Sequence, residues 1–257
     1  MIRSPAFASH QSGLSLIELM VAVVLSSVLL LGVVEVFNNS SRTDRTGAAL
    51  ADLQDDARVA MEFLKRDIRR SGYLGCADPQ TGVSGNNFDF PEDGISTATA
   101  NSITLNYAAP AFATVGPSAT ASTGTSKKYL LTDCQSVALF DGELEGTDKV
   151  RSKNDANDNS ITGYPATSNL HEFLTAAYSI SGTELRRNSD ALIGNVSALS
   201  FSYGITDDTG LTTWFSTLSG AQLGDISQVI INMTLTSTTD SAISKNFTTT
   251  VQLRNHL

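Results

Sequence analysis

Only a few residues in the 257-residue chain have the type and setting to do chemistry. Glu18 is the sole charge in an apolar run from Leu14 to Val34, about 21 residues long. A carboxylate inside such a run costs several kcal/mol unless it is paired or held at a membrane interface, so it marks either a function or a tolerated boundary position. Cys76 and Cys134 are the two cysteines, with no His or Cys at metal-ligand spacing beside them. In an oxidising compartment such a pair reads as one disulfide, and in a reducing one as two inert core thiols. His10, His171 and His256 are scattered, and no G-x-S-x-G elbow, phosphate loop or H-E-x-x-H occurs. The histidines therefore read as surface or strand residues, and neither an enzyme nor a cofactor is expected. Asp155-Ala156-Asn157-Asp158-Asn159-Ser160 begins like a calcium loop. Its sharp-turn glycine is replaced by Ser160 and its twelfth position is Ala166, so a solvated polar loop is the better reading.

The elements that must position these residues follow from pattern. The apolar run matches the ~20 residues that an α-helix needs to cross a bilayer. A secretory signal would have a shorter apolar core and a small-residue cleavage site. Glu35-Val36-Phe37-Asn38-Asn39 offers none, so the segment is expected to stay attached. The flanking charges, Arg3 before the run and Asp44 between Arg42 and Arg45 after it, do not decide its orientation.

Helical spacing continues beyond the run. Leu50, Leu53, Ala57, Ala60, Met61, Leu64 and Ile68 form one apolar stripe, opposite Asp52, Asp55, Asp56, Arg58, Glu62, Lys65 and Arg69. A helix from Leu14 to Arg70 would extend roughly 85 Å at 1.5 Å per residue. Gly72 and Gly75 supply its stop. Strands are predicted at 102–107, 128–132, 136–140, 173–179, 183–187, 196–203, 228–236 and 247–254, with a hairpin tip at Asp207-Asp208-Thr209-Gly210 and long loops at 108–125 and 142–162. The stripe is expected to cover the sheet that these strands build. Net charge is −9, and Lys127-Lys128 and Arg186-Arg187 read as isolated basic pairs, so no nucleic acid is expected as a partner.

Gly13-Leu14-Ser15-Leu16-Ile17-Glu18 resembles the processing motif of type IV prepilins. The resemblance implies that prepilin peptidase cuts between Gly13 and Leu14, that Leu14 becomes an N-methylated N-terminus, and that Glu18 acts in assembly. Burying a neighbour's ammonium together with this carboxylate would offset part of each desolvation cost and fix axial register. Further marks are Arg66-Asp67-Ile68-Arg69-Arg70-Ser71-Gly72-Tyr73-Leu74-Gly75-Cys76, Thr132-Asp133-Cys134, Thr183-Glu184-Leu185-Arg186-Arg187, Val196 through Tyr203-Gly204, and Phe247 through Asn255. In order along the chain they resemble the PilW family of type IV pilus minor pilins.

That resemblance implies an α+β, type IV pilin-like fold, with a long N-terminal helix packed on an antiparallel β-sheet head. It divides the chain into a leader at 1–13, a transmembrane or filament-core helix at 14–37, an amphipathic helix at 38–71 and a periplasmic β-rich head at 72–257. It implies a Cys76–Cys134 disulfide, a single pass through the inner membrane with the N-terminus inside, and incorporation into the pilus. Implied partners are other minor pilins, the major pilin, inner-membrane lipid and prepilin peptidase, in a role priming assembly at the tip. Two alternatives share the anchor: a J-type minor pseudopilin of type II secretion, and a tethered periplasmic binding module or adhesin.

Overall fold

The computed structural model describes residues 15–77, 94–112, 127–145, 149–152 and 167–254. A long helix, α1 (Leu16–Arg70), precedes strands that pair antiparallel throughout, which is the expected α+β plan. By contacts the chain divides at Ala49/Leu50 into an N-terminal unit and a second unit that holds the sheets.

The N-terminal unit is helical from Leu16 onward. Ser15 stands just outside the helix, and its carbonyl accepts from the backbone N–H groups of Glu18 and Leu19 at 3.0 and 3.2 Å. Hydroxyls along the helix are absorbed locally: Ser27 donates to the Val24 carbonyl, Thr43 to Asn39 and Thr46 to Arg42. Such back-bonding lets polar residues sit in a helix without seeking a distant partner.

In the second unit the main sheet runs β1 (Ile95–Ala98), β2 (Ser102–Ala108), β6 (Asn169–Ser181), β3 (Lys127–Thr132), β4 (Val137–Glu145), β5 (Lys149–Ser152). The 13-residue β6 is its hub. Its first part pairs with β3, and its later part pairs with β2 on one edge and with β7 (Glu184–Arg187) on the other. β7 in turn pairs with β8 (Asp190–Ile193). A second sheet has the order β10 (Thr212–Phe215), β9 (Val196–Thr206), β11 (Ile226–Thr236), β12 (Ser244–Gln252). β11 alternates buried Val229, Ile231, Met233 and Leu235 with half-buried residues, the two-residue period of a strand with one face in the core.

The principal core combines Leu53, Ala57, Ala60, Met61, Leu64 and Ile68 of α1 with apolar residues of both sheets, among them Ile103, Tyr178, Phe201 and Val229. The predicted stripe on α1 is therefore the buried one, with Leu50 only half-buried at its start. Two smaller clusters, one around Leu131 and Leu170 and one around Leu130 and Val137, cover the two faces of the β3–β4 pair.

The strand expectations hold for the long strands and for the short, charged β7, and they miss four other short strands. β1, β8 and β10 were not anticipated, each being four residues long. The long loop expected at 142–162 is corrected in its first part. β4 runs on to Glu145 and returns as β5, and the register pairs Glu143 with Arg151 and Glu145 with Lys149. β5 has one apolar residue in four, so the sequence offers no two-residue period to announce it. The hairpin tip is where it was expected: the Asp207 N–H donates to the Leu211 carbonyl, and the Asp207 carboxylate accepts from the backbone of Thr209 and Leu211.

Candidate functional site

Among the described residues, the predicted site residues Glu18 and the bonded pair Cys76 and Cys134 occupy separate places in the fold. Gly13 and Leu14 lie outside the described residues, as do His10, His256 and the Asp155–Ser160 segment. Among the described residues, no group of three or more His, Cys, Asp or Glu side chains could hold a metal ion. The features with physical consequences are an uncovered apolar helix bearing one acid, a buried polar seam, a disulfide-closed turn and a basic face.

Glu18 sits in the first turn of α1 and is exposed. Around it Leu16, Ile17, Leu19 and Met20 are all more than half exposed. The exposed run continues through Val36 and Phe37, and within the helix the next charge after Glu18 is Glu35. Among the described residues, α1 is the one helix long and apolar enough to cross a membrane, with a mean hydropathy of 2.6 over its most apolar window and none of that window covered. So much bare apolar surface needs lipid or other apolar helices around it. The first-turn position gives the Glu18 carboxylate partial compensation from the unpaired N–H groups at the helix N-terminus. Once covered by an apolar medium, it still calls for a cation.

The end of α1 is fixed to the sheet by a buried seam. Asp67 is fully buried, and its Oδ2 accepts from the Tyr178 hydroxyl at 2.7 Å and from Arg187 Nε at 2.8 Å. Arg187 Nη2 also donates to the Tyr107 hydroxyl at 2.9 Å. One carboxylate thus ties the helix to β6 and β7, and through Arg187 to β2. Burial, then the hydrogen bond to Asp67, raises the Tyr178 hydroxyl far above its ordinary range, so it remains a protonated donor. The hydrogen bond and charge of Asp67 outweigh the desolvation of Arg187 and raise its pKa further. Sequence reading passed over this seam, although a signal existed. Asp67 falls in phase with the apolar stripe, where a charge needs a partner.

Just beyond the helix, Gly72 and Gly75 both have φ near +74°, and the Gly72 N–H donates to the Asn106 carbonyl. A Cβ on Gly94 would collide with the backbone at Ser71 and Gly72. This close approach lets Asn106 donate to the Gly94 carbonyl and brings the start of β1 against the helix end. Cys76 is bonded to Cys134, closing 58 residues of separation. Cys134 has φ 72°, an uncommon conformation for a residue other than glycine. Asp133 holds the turn: its Oδ1 accepts from the backbone N–H groups of Gln135 and Ser136 and from the Ser136 hydroxyl. Partial desolvation pushes the Asp133 pKa up, but the Ser136 and Gln135 hydrogen bonds outweigh it and lower the carboxyl below its ordinary value. His171, read from sequence as a surface or strand residue, is a buried residue of β6. Its Nδ1 lies 2.7 Å from the Ala109 carbonyl, and its other nitrogen faces Gly75, where a Cβ would not fit.

The expectation that Lys and Arg form only isolated pairs needs a correction: Arg58, Lys65, Arg66, Arg69 and Arg70 share one side of α1, and Arg254, just beyond β12, joins them around a groove of about 580 Å³. The helical period, which places residues three, four and seven apart on one face, gathers five of them, and the return of the chain end brings the sixth. Arg66 packs over the Phe63 ring at 4.7 Å.

A family model described as prepilin peptidase-dependent protein B matches residues 47–253 of the chain. A second, the prokaryotic N-terminal methylation motif, matches residues 8–34 and so includes Gly13, Leu14 and Glu18. No curated protein and no solved structure matches the chain.

Proposed function

The chain belongs to the prepilin peptidase-dependent protein B family and is type IV pilin-like, and from that premise we propose that it is a minor pilin that helps other minor pilins prime a type IV pilus at its tip. The observation that carries this reading is Glu18 standing alone among uncovered apolar residues in the first turn of α1, inside a matched methylation motif. In this reading prepilin peptidase cuts between Gly13 and Leu14, and the new α-amine at Leu14 is N-methylated. That ammonium, on one subunit, meets the Glu18 carboxylate of its neighbour. The two charges leave water together, which fixes helix register while the apolar side chains find cover in one another. The chain performs no catalysis: its chemistry is to be processed, anchored in the inner membrane with the head in the periplasm, and then packed against other minor pilins and the major pilin.

The PilW-like features, Gly72-Tyr73-Leu74-Gly75-Cys76 and the bonded cysteines, favour a pilus role over a J-type secretion pseudopilin. Complementation separates the two. In a strain lacking this chain, the wild-type gene should restore surface pili and twitching, and Glu18→Ala should not. Restored exoprotein secretion without pili would overturn the pilus assignment. Full function of Glu18→Ala would overturn the assembly role of the carboxylate.

A further inference from the structure

Six cations in a chain of net charge −9 converge on one groove: Arg58, Lys65, Arg66, Arg69, Arg70 and Arg254. Glu62 is the one acid among them. A second, smaller hollow of about 350 Å³ shares Arg69, Arg70 and Arg254 and extends the same basic surface. Favourable interaction with the helix C-terminus accounts for Arg69 and Arg70, which lie in its last turn. It does not account for Arg58, for Lys65, or for Arg254, which comes from another element. Among the described residues, Arg58, Lys65, Arg69, Arg70 and Arg254 make no ion pair, so like charges gather around Glu62 as the single acid of the groove.

The complement stands on the preceding turns of the same helix. Asp52 and Asp55 are exposed and Asp56 is half-buried, again without an ion pair among the described residues. We propose that the basic groove seats the acidic turn Asp52–Asp56 of a second copy of the chain, displaced along a parallel helix. The acidic turn and the middle of the Lys65–Arg70 turns are about 13 residues apart, or roughly 20 Å at the helical rise. Two parallel copies at equal depth put acid against acid and base against base. Sliding one copy by that distance brings opposite charges together. The contact is heterologous, so each copy keeps one free acidic turn and one free basic groove for a neighbouring subunit. Only the parallel orientation rests on the pilin reading; the charge pattern does not. A nucleic acid is the less fitting occupant, because Asp52, Asp55, Asp56 and Glu62 flank or enter the groove and repel phosphate.

The test uses the full chain in detergent, in two differently tagged copies, with co-purification measured at low and high salt. One variant reverses the groove (Arg69→Glu, Arg70→Glu, Arg254→Glu), and the other reverses the acid (Asp52→Lys, Asp55→Lys, Asp56→Lys). Each variant paired with itself should lose at least tenfold in co-purification relative to wild type. The two variants mixed should recover it, since one normal and one inverted charge contact become available. Wild-type pairing should weaken as salt rises. The acid-reversed variant leaves the last helical turn untouched, so a folding defect in the groove variant would not hide the answer. Unchanged self-association of both variants, or no recovery on mixing, overturns the proposal. Retention of a short DNA duplex by wild type, without self-association and lost in the groove variant, overturns it in favour of a nucleic acid. Intact mass on the same samples reports cleavage separately, so failure here is distinguishable from failure of the pilin reading.

Discussion

The two units of the chain solve opposite problems. Between Leu16 and Phe37, α1 turns every large apolar side chain outward, and its backbone is its own sole support. In the unit that begins at Leu50, the same kind of side chain disappears into a core: Leu64, Ile68, Ile103, Val229 and Ile231 are fully buried. One stretch of sequence is a binding surface that requires an external apolar partner, and the other is a self-sufficient head. Stability measured on the head should therefore be insensitive to changes in the apolar run, while assembly should depend on them.

Reducing the Cys76–Cys134 bond is the severest way to break that contrast, and should cost roughly 4 kcal/mol in the chain-entropy picture of a loop this long. Melts with and without reductant, compared with a Cys76→Ser/Cys134→Ser double variant, measure it. Asp67→Ala leaves Arg187, with 28% of its side chain exposed, and the Tyr178 hydroxyl without their acceptor, and should destabilise the head by about 3 kcal/mol, the low end for breaking a buried charge pair. Denaturant melts followed by Tyr fluorescence would show it, and a loss below 1 kcal/mol would contradict the seam. Gly94→Ala should cost at least 1–3 kcal/mol, the scale of inserting a methyl where backbone leaves no room. Smaller still is the acid limb of the pH profile. The lowered Asp133 carboxyl contributes stability above the ordinary carboxylate range, and that contribution disappears as pH falls through its depressed folded-state value. Asp133→Asn should therefore give a flatter fall of Tm with acid than wild type. At the far end, Val24→Ala should leave head stability within about 0.5 kcal/mol of wild type, as expected for an exposed position.

Legibility in the sequence followed the same division. The apolar run, its single acid and the stripe from Leu53 to Ile68 were readable because each repeats a physical period over many turns. Long strands such as β9 and β11 were readable for the same reason. What escaped was decided by tertiary context. β5 has one apolar residue in four and takes its strand state from backbone pairing with β4. The seam joins residues 67, 107, 178 and 187, which only the folded sheet brings together. The basic face was present in the sequence as Lys65-Arg66 and Arg69-Arg70, but the contribution of Arg254 depended on where the chain end returns.

Intact-mass analysis of the protein extracted from its native membrane tests the central claim most directly. Removal of residues 1–13, one added methyl on Leu14 and the loss of two hydrogens at Cys76–Cys134 are the expected result. A full-length, unmethylated chain in that membrane would mean that no new amine is ever made for Glu18 to meet, and the assembly account would fail.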